Sequence, residues 1–379
     1  MPADAEAELD ARQQLWHLML LRLAGKAPDD LMTSCRYWLA EGDLEELARA
    51  ISSFLATSRT GVPSSDTAVL AELLEDSGAD ASVLYDAEAE EPNPFPRYQF
   101  AAEIAGEVAA GAAAPAAGTG QDKAEQGLIA ALAAGPGAVG GWRAWRFPDG
   151  GSPWPPPKRV FVIEASSGTG EAGLTARLQQ ALSTGGEPSP QVEVYAAGQE
   201  LPLYQRLARE YGELIWARAK DPGLRIAAVF DSVDAHAGPR FTPGHVRLDD
   251  EEAPKVTSYL YGGQPVLITT ACMDDVVDTA RRNCVPMSFR TDGTWIWPET
   301  VAYYATEHHL APEPGLLARI REAGYTCPAV DGVGLFRALR ALQAPSDQEP
   351  VWSVGGAPAA VTTDEDPGAQ GSGTADQDS

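Results

Sequence analysis

The sequence predicts an α+β protein in several parts: a small N-terminal helical bundle, an α/β domain with a mostly parallel sheet, and a disordered C-terminal tail. Three observations lead there. Apolar residues recur at helical spacing across residues 10–90. Short β-branched runs alternate with helical stretches across residues 158–343. Beyond Gln343 the chain is mostly Pro, Gly, Ala, Ser, Thr, Asp and Glu, a composition with too little apolar surface to form a core.

In the bundle, Leu15, Leu18, Met19 and Leu23 mark a first helix. A second begins after Pro28 with Asp29 and Asp30 at its positive end, carries Leu31, Cys35, Trp38 and Leu39, and stops at Gly42. Asp43 and Glu46 form a capping-box pattern ahead of Leu44, Leu47, Ile51 and Leu55. A fourth helix starts near Ser65 and stops at Gly78. Residues 91–157 are rich in Pro, Gly and Ala and read as a linker. Within it a helix is expected near Ala124–Ala134, and Trp142, Trp145, Phe147 and Trp154 form an aromatic end.

The domain at 158–343 has expected strands at Arg159–Ile163, Gln191–Tyr195, Leu224–Phe230 and Pro265–Thr269. Asp292-Gly293 is a hairpin turn pair between Val285–Arg290 and Thr294–Trp297. Helices are expected at Leu174–Leu182, Leu203–Ala219, Glu299–Glu307, Gly315–Ala323 and Val333–Leu342. Residues 344–379 form the acidic tail.

The 379 residues carry a net charge of −26, of which residues 1–100 hold −12. A general nucleic-acid binder needs a basic face, so bulk nucleic acid is an unlikely partner, and a basic protein partner fits better. No run approaches the length of a membrane helix, and no basic stretch precedes an apolar run at the N-terminus. The chain therefore reads as cytoplasmic, with no membrane contact. Its four cysteines form no C-x-x-C pair and read as free, mostly buried thiols.

Three places carry residue types suited to chemistry. Gly168, Gly170 and Gly173 spell G-x-G-x-x-G between an expected strand and helix, with Glu193 on the next strand placed to meet a ribose hydroxyl. Glu171 inside that loop opposes phosphate, and no P-loop lysine follows. Past the third expected strand, Asp231, Asp234 and His236, with His245 downstream, suit a divalent metal or a base and acid pair. Arg290, Asp292, Trp295 and Trp297 make the densest aromatic block and suit an interface, although alternating Trp at a hairpin also suits a packed sheet. Cys284, after Arg281 and Arg282, is better placed for reactivity than Cys272 beside Asp274 and Asp275, and both read as inert.

Two functions follow as expectations. One is a protein-interaction module: an adaptor, a regulator or a toxin-neutralising protein. The other is an enzyme or nucleotide- or metal-binding protein in which the Gly168–Gly173 and Asp231–His236 loops converge at one sheet edge. The sequence names no cofactor.

Overall fold

A computed structural model describes residues 3–58, 60–61, 63–76, 78, 81–84, 98–103, 122–148, 156–234 and 236–344. The tail from 345 onward lies outside the described residues. Four helices open the chain: α1 (Ala3–Leu23), α2 (Asp29–Glu41), α3 (Leu44–Ser58) and α4 (Ser64–Asp76). Gly42 ends α2 at φ +78°, a left-handed cap that glycine adopts at little cost. Met19, Leu20, Leu39, Leu47, Ile51, Leu55, Leu70 and Leu73 interlock in one core, as the helical spacing requires.

The first sheet holds β1 (Tyr98–Ala101), β2 (Ala138–Pro148), β3 (Lys158–Ala165) and β4 (Gln191–Ala196) in that order, with β5 (Glu213–Ala217) also paired to β2. Only β3 and β4 run parallel; β2 is antiparallel to β1, β3 and β5. The sheet is thus mixed, and the mostly parallel sheet expected from the sequence is corrected. The reason is connectivity. A parallel pair needs a crossover, which α6 (Glu171–Thr184) supplies between β3 and β4, whereas the antiparallel β2 and β3 need none.

Strand β2 lies in the stretch expected to be a linker, and α5 (Lys123–Ala134) precedes it. Trp142, Ala144 and Arg146 are buried while Arg143, Trp145 and Phe147 are less so, the alternation of a strand. The helix expected to reach Ala219 ends instead at Tyr211 as α7 (Leu203–Tyr211), and β5 follows. Leu128, Leu132, Leu174 and Leu178 cover Phe161, Ile163, Val192 and Val194 on one face. Leu21, Trp142, Val160, Val162, Tyr195 and Ala208 form the other core.

A second, smaller unit follows. Its sheet runs β6 (Arg225–Ile226), β13 (Trp295–Pro298), β12 (Phe289–Thr291), β9 (Gln264–Leu267). Two short hairpins, β7 (Ser232–Asp234) with β8 (Gly238–Arg240) and β10 (Cys272–Met273) with β11 (Val285–Pro286), flank it. Helices α8 (Glu252–Gly262), α9 (Glu299–His308) and α10 (Pro314–Glu322) pack on Trp295 and Trp297. Helix α11 (Gly332–Gln343) then returns to the first sheet, where Val333 sits so close to Gly140 that a Cβ there would lie 2.3 Å from its Cγ2. Only glycine at 140 leaves room for that approach.

Candidate functional site

The glycine loop has the strand–loop–helix setting its motif requires. Ser166 N donates to Gly137 O (2.7 Å), and Thr169 N to Ser166 O (3.2 Å). Gly168 and Gly170 stand at φ +76° and +78°, and a Cβ at either would meet nothing within 4 Å. Gly173 lies one turn into α6. The open space is real, but the charge is wrong for phosphate. Glu171, the first residue of α6, is buried with its Oε1 unpartnered, so a carboxylate already occupies the positive end of the helix.

Glu193 is not available to a ribose. It is wholly buried, and both its oxygens are used: Arg36 Nη2 donates to Oε1 and Gln205 Nε2 to Oε2 (3.0 Å). The partner Arg36 lies 157 positions away, on α2, which is why no local pattern revealed the pair. Glu193 anchors the helical bundle to β4 rather than a ligand.

Asp231 and Asp234 are taken up by local structure, which His236 enters through its backbone N–H. Thr242 donates its backbone N–H (2.7 Å) and hydroxyl (2.8 Å) to Asp231 Oδ2. That backbone bond, with His245 adding to it, holds the Asp231 carboxyl below its ordinary range. His245 bridges Asp231 Oδ1 (3.0 Å) and the carbonyl of Ala311 (3.0 Å). Asp234 Oδ1 accepts from the backbone of His236 (2.9 Å) and Ala237 (2.8 Å), so it caps the β7–β8 turn. No group of three His, Cys, Asp or Glu side chains poised for a metal occurs among the described residues. The third expected strand shortens to β6 in the second sheet, whereas the glycine loop follows β3 in the first. The two loops therefore do not share one sheet edge.

The aromatic block is scaffold and not an exposed interface. Trp297 is wholly buried and its indole donates to Leu260 O (3.1 Å). Trp295 is buried beside it. Asp292 Oδ1 accepts from Thr294 N (2.8 Å) and Trp295 N (2.7 Å), and Oδ2 from Tyr259 Oη (2.7 Å) and Arg319 Nε (3.0 Å). Arg290 pairs with Glu299 (2.6 Å) and donates to the carbonyls of Tyr261 (2.9 Å) and Gly263 (2.8 Å). These residues tie β12 and β13 to the helices.

The exposed apolar residues lie elsewhere in the same unit. Ile226 on edge strand β6 is 52% exposed, Leu267 on edge strand β9 is 44% exposed, and Ile268 just beyond it is 79% exposed. Val233, Val246, Tyr261 and Val277 are exposed nearby in sequence. The sequence carried one signal for this: Pro265 inside an apolar run marks an edge strand.

A polar cluster holds the β10–β11 hairpin to α9. Asp275 Oδ2 accepts from His308 Nε2 (2.6 Å) and Tyr303 Oη (3.0 Å), and Oδ1 from Val277 N (2.8 Å). Arg281 donates to Tyr303 Oη (3.2 Å), and Cys284 Sγ lies 3.3 Å from it. Because the Tyr303 proton goes to Asp275, the thiol is left to donate to Oη. That makes it a structural donor. Cys35 is buried, while Cys272, Cys284 and Cys327 are half-buried, fewer buried thiols than expected. No helix among the described residues is long and apolar enough to cross a membrane. Compared with protein-family models, curated proteins and solved structures, the chain matches none.

Proposed function

We propose that this chain is a protein-interaction module that receives an extended, basic segment of a partner protein along the β9 edge of its second unit. The observation that carries the reading is the edge itself: among the described residues β9 pairs with β12 alone, and Leu267 and Ile268 are exposed along it. Unpaired strand edges recruit extended peptides through main-chain hydrogen bonds, with apolar side chains adding grip. The net charge of −26 favours a basic segment over a second copy of the same chain. The buried Asp292, Trp295 and Trp297, with the half-buried Arg290, support that edge from within. The reading takes the protein as cytoplasmic, a setting that suits four unpaired thiols.

The test is selection of displayed peptides of about ten residues, long enough to span an edge strand, against the full chain. Selected peptides should alternate apolar residues with Lys or Arg. Binding should fall about tenfold or more, or ~1.4 kcal/mol, on the L267D/I268D variant while its melting temperature holds. Peptides that bind the variant as well as the parent would refute the reading. A concentration-dependent dimer lost in the variant would give the edge to a second copy and refute it too.

A further inference from the structure

The joint between the helical bundle and the first sheet carries several buried polar contacts. The bundle's apolar core closes almost on itself: Ala172 is its one fully buried member from outside residues 16–84. Leu18 and Leu21 supply the apolar contact with the sheet's core. The Tyr204 ring packs on Gly25, and Ala172 of α6 enters the bundle core. Hydrogen bonds and ion pairs add to these contacts. Gln205 Nε2 donates to Leu21 O (2.7 Å), Gln191 Nε2 to Asp29 O (2.8 Å), and Gln179 Nε2 to Thr33 O (3.1 Å). Arg146 pairs with Asp29 (2.8 Å), and Arg36 with Glu193.

His17 sits in this joint. Its Nε2 lies 2.7 Å from the carbonyl of Val194 on β4, and its Nδ1 is buried with no hydrogen-bond partner. The ring is 3% exposed. A neutral ring satisfies this geometry with one N–H. A protonated ring brings a second N–H with no acceptor, buried, beside the Arg36 guanidinium.

We propose that protonation of His17 undocks α1 and α2 from the edge of β4, so that acid releases the N-terminal bundle while the first sheet stays folded. The charged surroundings offer the extra proton little support. Arg36 of α2 is the cation that acts on the ring, and Glu193 of β4, already bound to Arg36, is the carboxylate beside it. Asp29 of α2 is held by Arg146 of β2, and Asp66 of α4 by Arg22 of α1. Helix α6 carries Glu171 and the neutral Gln179, and α7 the neutral Gln205 with Tyr204, whose hydroxyl burial pushes above its ordinary range. Cys35 of α2 is pushed up to about 12, and so stays a thiol. Burial first, then Arg36, depresses His17 from 6.5 to about 4. The sign follows: below pH 6.5 the released state binds protons first, so docking is strongest above 6.5 and is lost towards 4. The sheet's other core, built on Phe161, Ile163, Val192 and Val194, draws no residue from the bundle and remains closed.

The experiment is amide hydrogen exchange on the full chain and on H17Q at pH 7 and pH 5, corrected for intrinsic rates, with the His17 ring titration followed by NMR. For the parent, opening of α1 and α2 should rise about 20-fold from pH 7 to pH 5, the ratio implied by a shift from 6.5 to about 4. Amides of β3 should not respond, and H17Q should be flat. The same pH response in H17Q, or loss of protection in β3 together with the bundle, overturns the proposal. Should H17Q already be open at pH 7, the parent decides: a ring titrating in step with bundle opening supports release. A ring titrating at its ordinary value with α1 and α2 still protected overturns it.

Discussion

The central strands of the two sheets solve the same problem differently. In the first sheet, seven of the eight residues of β3 are buried and apolar cores lie on both faces. In the second, β13 has four residues, all buried, yet neighbouring β6 is exposed along both its residues and β9 is mostly exposed. Long paired strands bury most of the first sheet's apolar residues in its own cores, so its docking to the bundle combines the Leu18 and Leu21 contact with polar side chains such as Arg36 and Glu193. Short strands give the second sheet a core of Trp295, Trp297 and helices, with Asp292 as its hub, and leave its edges open. Buried framework and the edge proposed for binding are thus separated along the chain.

The largest expected effect breaks the polar joint. Arg36→Leu leaves Glu193 buried without its cation and should lower unfolding stability by about 3–5 kcal/mol. Urea melts should show most of it restored in R36L/E193L, where no charge is stranded. A single-variant loss below about 1 kcal/mol would mean that apolar packing, and not this pair, holds the bundle.

Asp292→Asn tests the hub of the second unit. It removes the charge from five well-made hydrogen bonds and should cost about 2–3 kcal/mol. Hydrogen exchange should place the loss in α8, α10, β12 and β13, and leave β3 untouched. Spread of the loss to β3 would join the two units into one cooperative body.

Acid sharpens the contrast further. Burial opposes the charge on Asp292 and Asp275, but hydrogen bonds from Tyr259 and backbone at the first, and from His308 at the second, outweigh it and depress both carboxyls. Their contribution is therefore complete above the ordinary carboxyl value and is lost only as pH falls through their lowered values. Near pH 5 the second unit should keep its protection, while the bundle joint, through His17, has weakened by about 2 kcal/mol. Equal losses at that pH would erase the distinction.

The smallest effect belongs to the open edge. Ile268→Asp should change the melting midpoint by no more than about 0.5 kcal/mol in equivalent stability, since the residue is 79% exposed.

Local signals carried much of this architecture. The spacing of Leu47, Ile51 and Leu55 dictates an amphipathic helix wherever it packs. Gly42 and Gly78 end helices because each stands at positive φ, and Asp292-Gly293 turns the β12–β13 hairpin. The G-x-G-x-x-G pattern gave the strand–loop–helix around Gly170. These are effects within a few residues, so the sequence states them directly. Partnerships across the chain were decided only by the tertiary structure. Trp142, Trp145 and Phe147 became strand β2 because β1, β3 and β5 offered their edges. Glu193 met Arg36, and Trp297 met Leu260, at separations no pattern encodes. Which of two chemically similar residues is buried depends on what arrives to cover it. That is why Glu193 and Trp297 became interior supports while Leu267 and Ile268 were left on an open edge.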